Sequence, residues 1–532
     1  MVFRSEFPDV PVVDLPIHEA VLGAAAEHGD RPALIDGLTG ETVSYARLVS
    51  SVERVAAGLA DTGVRRGDVV ALFSPNSTAY PMAYYGVSRA GATVTTVSSM
   101  ATPADLARQL RDSGARWLVT VADFLPTART AAELLAEQGH PPTEIIVLDG
   151  AEGHRSLADL LAAPGPAPEV AIDPAEDIAV LPYSSGTTGL PKGVMLTHRS
   201  ISTNLAQCDA LYRPAEGERV LAVLPFFHIY GQAALLNQPL RCGATVVILP
   251  RFDLEQFCRT VQEHRVQALV VAPPIALALA RHPVVERYDL STVEYLLCAA
   301  APLDHELATA CARRLGLPHL LQGYGMTELS PVSHVVSPRE DNPPPGSLGR
   351  MLPSTEMRIA ALDGSDGDLG PGERGEMLIR GPQVMKGYIG RPSETAAVVD
   401  AEGWLHTGDV GFVDERGYLH IVDRVKELIK YKGYQVAPAE LEAVLLGHPQ
   451  ITDAAVIGVP DAEGTECPKA FVVRAPGSAL TEDEVAGYVA GHVAPYKKVR
   501  AVEFVEAVPK SAAGKILRRE LRAREAERTA VR

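Results

Sequence analysis

Four short apolar runs follow one another through the middle of the chain: VLAVLPF (220–226), ATVVILP (244–250), QALVVAP (267–273) and VEYLLCA (293–299). Each is rich in β-branched and aliphatic residues and too short for a long helix, so each reads as a buried strand. The segments 253–264 and 303–315 carry apolar residues at amphipathic helix spacing. Strands that alternate with helices predict parallel sheets flanked by helices, because parallel neighbours need a crossover that covers the sheet face.

The pattern changes further along. LDGSDGDLGPGERGE (362–376) is rich in glycine and acid and predicts loops and hairpin turns. From about Asp423 onward the runs AAVIGV (454–459) and KAFVVRA (469–475) read as strands, and TEDEVAGYVAGHV (481–493) as a helix. Thr481 and Glu484 have the spacing of a capping box at its start. The expected organisation is a large α/β domain with parallel-rich sheets over 1–423 and a small α+β domain over 424–532, joined by a hinge. There is no internal repeat.

A chain of 532 residues has ample core for more than one domain. Its 46% hydrophobic and 22% charged residues match an ordinary globular protein and exclude a disordered tail. The net charge of -17 opposes long-range attraction to nucleic acid or an anionic membrane, so an anionic ligand must be captured locally. The cysteines, Cys208, Cys242, Cys258, Cys298, Cys311 and Cys467, form no CxxC pair and predict reduced core thiols. The amino terminus mixes charge with proline, unlike a secretory leader. The most apolar stretch, 268–280, is interrupted by Pro273 and Pro274 and is too short to cross a bilayer. These features predict a cytoplasmic protein.

The strand-like run IAVLPY (178–183) leads into Ser184, Ser185, Gly186, Thr187, Thr188, Gly189, Leu190, Pro191 and Lys192. Hydroxyls and glycines let amides and side-chain donors converge on phosphate oxygens, and Lys192 adds positive charge. Pro191 before the lysine and Gly193 after it depart from a Walker loop, which disfavours kinase and GTPase readings.

YSSGTTGLPKG (183–193) resembles the signature of the adenylate-forming superfamily, which includes acyl-CoA synthetases. LPFFHIYG (224–231), GYGMTE (323–328), GWLHTGD (403–409), DRVKELIKYKGYQVAPAELE (423–442) and PKSAAGKILRR (509–519) follow in the family's order. Within it, the chain most resembles 4-coumarate:CoA ligases. The resemblance implies an AMP-forming ligase that takes ATP, Mg2+, coenzyme A and a small carboxylic acid, with no nucleic-acid or membrane partner. It leaves the oligomeric state open.

The resemblance also implies roles for individual residues. The phosphate loop, with Gln322, Gly323, Tyr324, Gly325 and Thr327, meets the nucleotide. Ala300, Ala301 and Pro302 border the adenine, and Asp409 and Arg424 hold the ribose. Glu328 helps to hold Mg2+. Lys515 bridges carboxylate and α-phosphate during adenylation, and His228 stands at the carboxylate end of the acyl pocket. Lys426 is the hinge pivot. Lys430 and Gln435 assist catalysis, and Lys432 and Gly433 form the edge along which the CoA arm passes.

The implied acyl pocket is Tyr230, Ala234, Ala300, Gly325, Pro331 and Val332, an apolar slot for a planar ring. His228 stands where amino-acid-activating relatives carry aspartate, which disfavours an α-amino acid. Leu297, Ala234 and the pair Leu329-Ser330 depart from the plant ligases, so a requirement for a 4-hydroxyl does not follow. The expected substrate is a cinnamate-like acid. Other aryl acids, medium-chain fatty acids and loading of a carrier protein stay open as alternatives.

Overall fold

The computed structural model describes residues 1–184, 191–362, 367–431, 434–460, 466–511 and 514–530, the last two without their side chains. The four central runs become the strands Arg219–Ala222, Thr245–Ile248, Ala268–Val271 and Tyr295–Cys298. They pair in parallel with one another and with Pro32–Asp36 and Leu321–Gly325. Antiparallel strands Thr42–Ser44, Val332–Val335 and Arg350–Met351 complete a nine-stranded sheet.

The helices fall where the spacing places them, at Leu254–Glu263 and His305–Leu315, and each starts at an aspartate whose side chain accepts a backbone N–H of the first turn. Pro273 and Pro274 open the helix Pro273–Arg281, where proline's missing N–H costs nothing. The apolar stretch 268–280 is thus a strand followed by a helix. Among the described residues no helix is long and apolar enough to cross a membrane.

A second, eight-stranded sheet has parallel strands Glu144–Val147, Trp117–Thr120, Val69–Phe73, Thr93–Thr96 and Ile178–Val180. It ends on antiparallel Lys192–Thr197 and Gly387–Tyr388, with the short strand Tyr183–Ser184 also paired antiparallel to Lys192–Thr197. One hydrophobic core lies between and around these two sheets. A third sheet is antiparallel throughout: Phe3–Arg4, Glu356–Ala360, Gly375–Arg380, Leu405–Val413 and Leu419–Arg424. The described part of the glycine-rich stretch, 367–374, is the turn and loop that leads into Gly375–Arg380.

The small C-terminal domain has its own core, with Ile429, Leu441, Val456, Val472 and Val485 fully buried. It is built from the hairpin Ile429–Tyr431/Tyr434–Val436, the strands Ile451–Pro460, Glu466–Arg474 and Ala501–Phe504, and the helices Pro438–Leu446, Glu482–His492 and Arg518–Ala530. The Thr481–Glu484 capping box forms as the spacing predicts. Asp423 lies just before this domain, and its carboxylate accepts the N–H of Ala439 at 2.8 Å. That contact ties the last strand of the third sheet to the start of the helix Pro438–Leu446, where a negative charge also suits the helix dipole.

Candidate active site

One cavity of about 810 Å³ opens where the large sheets, the antiparallel sheet and the C-terminal loop meet. That volume suits a nucleotide or drug-sized ligand. Gly323, Tyr324, Gly325 and Thr327 border it from the end of the strand Leu321–Gly325 and the turn beyond. Here the sheet changes from parallel to antiparallel, an edge-of-strand setting where open α/β sheets bind ligands. At Gly325 a Cβ would stand 2.1 Å from the Pro331 carbonyl oxygen, so only glycine lets the two segments cross.

Asp409 and Arg424 face each other across adjacent strands. Their side chains form an ion pair at 3.0 Å, and the Tyr324 hydroxyl donates to the other Asp409 oxygen at 2.6 Å. Asp409 is only 6% exposed; Tyr324 and Arg424 border the cavity in front of it. Burial and the Asp409 charge push the Tyr324 hydroxyl well above its ordinary pKa, so it remains a donor. The result is a fixed carboxylate beside a guanidinium, able to accept and donate hydrogen bonds with a diol.

Glu328 borders the same cavity and is 6% exposed. Its Oε1 accepts from the Ser184 hydroxyl at 3.2 Å and from the Tyr388 hydroxyl at 2.9 Å. Both bonds fall on one oxygen, and among the described residues the other is left for a hard cation. Among the described residues no cluster of three or more His, Cys, Asp or Glu could hold a metal alone. A single carboxylate supplemented by substrate phosphates is a donor set that fits Mg2+. Lys192 pairs with Glu394 and lies 4.9 Å over the Tyr388 ring. Ser185, Gly186, Thr187, Thr188 and Gly189 lie outside the described residues, as do Lys432 and Gly433.

His228 sits in the loop after Pro225, a loop secured by distant side chains. The Asn76 amide donates to the Leu224 carbonyl at 2.9 Å and accepts the Phe226 N–H at 2.7 Å, while the Thr96 hydroxyl donates to the Phe227 carbonyl at 2.7 Å. Burial, reinforced by the positive charge of Lys515, pushes the His228 imidazole down to about 4. The ring is therefore neutral at pH 7. Because Nδ1 accepts the Tyr230 N–H at 3.2 Å, the ring proton resides on Nε2, a donor for a carboxylate oxygen.

Lys515 reaches the same cavity from the C-terminal loop. Burial and Arg424 lower its ammonium to about 8, against the opposing pull of Asp409 and Glu328. Close packing supports the approach: Gly514, at φ +78°, leaves only 2.8 Å between a built Cβ and the Pro274 ring. Lys426 also borders the cavity. Lys430 and Gln435 do not. They are cross-strand partners on the exposed hairpin of the small domain.

The acyl side is apolar. Tyr230, Ala234, Ala300, Gly325, Pro331 and Val332 all border the cavity, together with Leu297. Asn204 fixes this wall by donating to the Val332 carbonyl at 2.8 Å and accepting its N–H at 3.1 Å. Tyr230 leads directly into a π-helical turn, Gly231–Asn237, the kind of widened helix that recurs at functional sites. Ala301, Pro302 and Gln322 are not among the residues that border the cavity. Asn76, Thr96, Asn204 and Tyr388 were not legible in the sequence, because each acts on a partner about 60 to 150 residues away with no local motif.

Residues 22–389 match the family described as AMP-binding enzyme, and residues 440–515 match the AMP-binding enzyme C-terminal domain. The chain is 43% identical over 532 residues to 4-coumarate–CoA ligase 5 of Oryza sativa subsp. japonica, covering 98% of this chain and 97% of that one. It is likewise 43% identical over 535 residues to a 4-coumarate–CoA ligase of Pinus taeda, with 98% and 97% covered. Among solved structures, the anthranilate CoA ligase AuaEII in complex with anthranoyl-AMP superposes with a TM-score of 0.87 at 26% identity, over 97% of this chain and 98% of that chain. ATP-bound MatB from Rhodopseudomonas palustris gives a TM-score of 0.84 at 29% identity, over 95% and 98%.

Proposed function

Since the chain belongs to the AMP-binding enzyme family, we propose that it is an ATP-dependent acid–thiol ligase that converts a cinnamate-like acid to its CoA thioester through an acyl-AMP. The observation that carries this reading is the position of Lys515, in one cavity with His228, Glu328 and Arg424. Cations and a neutral donor there surround the place where two anions must react.

In the first step a carboxylate oxygen attacks the α-phosphorus of ATP. The bond to the bridging oxygen breaks and pyrophosphate leaves. Coulomb repulsion between substrate and nucleotide opposes this encounter, and preorganised cations offset it. Lys515 supplies a charge between the two groups, His228 Nε2–H orients the carboxylate, and Asp409 with Arg424 holds the ribose. Lys192 exchanges Glu394 for phosphate oxygens. Glu328 would hold magnesium, which when bound would supply further positive charge against the nucleotide phosphates.

In the second step the CoA thiol, having lost its proton, attacks the acyl carbon. The carbon–oxygen bond to AMP breaks and AMP leaves. Lys430 and Gln435 lie outside the cavity while Lys515 occupies it, so the second step uses a different placement of the small domain. We assign the boundary to 423/424 and the pivot to Lys426, with Lys430, Gln435, Lys432 and Gly433 turned inward for thioester formation.

The slot between Tyr230, Ala234 and Val332 is apolar and suits a flat ring with a short unsaturated linker. Magnesium-dependent pyrophosphate release and CoA-thioester formation across cinnamates, benzoates and fatty acids test the proposal. Thioester from cinnamates at the highest kcat/KM is the expected result. A complete lack of pyrophosphate release with all three classes would overturn it.

A further inference from the structure

Lys192 is paired with a carboxylate, Glu394, that belongs to the short helix Pro392–Ala396. This helix follows the strand Gly387–Tyr388, which pairs antiparallel with the strand that Lys192 begins. The Tyr388 N–H donates to the Thr395 hydroxyl at 2.9 Å and so ties the helix to its strand. The two charges are therefore carried by elements already fixed to each other.

Glu394 divides its oxygens between two cations. Oε2 meets Lys192, and Oε1 lies 3.5 Å from Arg391 Nε. Arg391 is held in turn by a two-pronged contact with Asp112 at 3.0 and 3.1 Å, and Asp112 accepts the Tyr183 hydroxyl at 2.8 Å. Tyr183 is the cross-strand partner of Gly193, next to Lys192. This series of contacts starts and finishes at the stem of the phosphate loop, and it settles where Glu394 stands. Lys192 itself rests 4.9 Å over the Tyr388 ring, whose hydroxyl donates to Glu328.

Lys192 and Tyr388 border the cavity, whereas Arg391 and Glu394 do not. The Glu394 side chain is 43% exposed, and an ion pair so open to solvent is weak. A multiply charged phosphate competes with it for the ammonium on favourable terms. Glu394 keeps Arg391 when it gives up Lys192, so the exchange leaves no carboxylate unmatched.

We propose that Glu394 is a positioning residue that competes with substrate phosphate for Lys192. It holds the ammonium over the Tyr388 ring, yields it to the ATP phosphates beyond the α position, and takes it back as pyrophosphate leaves. This rests on the ligase reading and adds to it a control on how tightly pyrophosphate is held. Glu394 touches no substrate and acts through Lys192 alone. AMP lacks the outer phosphates and stands outside the competition.

The test measures binding of ATP, pyrophosphate and AMP to the full chain by isothermal titration in magnesium buffer. Glu394→Gln keeps the shape of the side chain and removes its charge. Its Kd for ATP and for pyrophosphate should each fall by about fivefold, the upper range for a solvent-exposed pair, with AMP changed by no more than about twofold. Glu394→Asp, which restores the charge, should return both values toward those of the wild type. In a Lys192→Met background, Glu394→Gln should change the Kd for pyrophosphate by no more than about twofold.

A merely structural role would weaken all three ligands together, which would overturn the assignment. Equal tightening of AMP would overturn it as well, and so would a full gain in the Lys192→Met background. Where Glu394→Gln does not fold, Glu394→Ala reads the same three affinities. Unchanged affinities in an active protein remove the role of Glu394 alone. A wild type that binds no ATP and releases no pyrophosphate with any acid removes the ligase reading, and this inference with it.

Discussion

The small domain offers two basic features to contrasting surroundings. Lys515 is drawn into the cavity, near Arg424, Asp409 and Glu328. Lys430, paired with Gln435 across the hairpin, is exposed to solvent. Both belong to one compact body with its own core, so bringing one to the cavity takes the other away. On the proposed function the contrast separates two chemical duties in space, and it can be tested one duty at a time.

The largest effect is expected from Lys515→Ala. Pyrophosphate release in a single turnover should fall by about a thousandfold, as for loss of a preorganised group at a developing charge. Conversion of preformed acyl-AMP and CoA to thioester should persist. Equal loss of both steps would erase the contrast. Asp409→Ala breaks the ion pair with Arg424 and orphans the Tyr324 hydroxyl. It should raise KM for ATP by about 10- to 100-fold, the scale of a charged hydrogen bond.

The pH dependence sharpens the same point. Lys515 carries its charge below about 8 and loses it above, so kcat/KM for adenylation should fall as pH rises through about 8. In Lys515→Arg that limb should move above pH 10, since guanidinium does not titrate there. Gln435→Ala and Lys430→Ala should lower thioester formation from preformed acyl-AMP by about fivefold and leave pyrophosphate release unchanged.

The smallest expected effect on turnover accompanies a change in stability. His18, His198, His228 and His334 are held neutral, chiefly by burial, with values lowered to about 3 to 4. The unfolded chain would titrate them near 6.5 and so binds more protons between those limits. Stability is therefore complete above 6.5 and is lost as pH falls toward 4. The urea midpoint at pH 5 should lie below that at pH 7, and a midpoint unmoved between the two would contradict it.

Much of the architecture was legible because it depends on local spacing. Asp253 and Asp304 head their helices, Thr481 and Glu484 close a capping box, and the paired prolines mark a strand-to-helix change. The ordered motifs also named Tyr324, Asp409, Arg424 and Lys515, which converge on one cavity edge. Motifs alone could not distinguish residues bordering the cavity from those that do not, as with Ala301, Pro302 and Gln322. Nor could they show that Lys430 and Gln435 stand outside the cavity that Lys515 enters, since that depends on how the small domain packs against the large one. Asn76 and Asn204 carried no signal, because an amide acquires meaning only from the groups that surround it in three dimensions.

Arg424 ends the last strand of the antiparallel sheet, and Lys426 follows two residues later at the cavity edge. On the proposed assignment, the side chain that grips the sugar and the joint about which the tail turns share one short length of backbone. The Val425 N–H is bonded to the Gly408 carbonyl, next to Asp409. Tension on the joint is therefore felt at the sugar, and a departing nucleotide loosens the joint. On that assignment, swivelling and release of AMP are geared together by three consecutive residues.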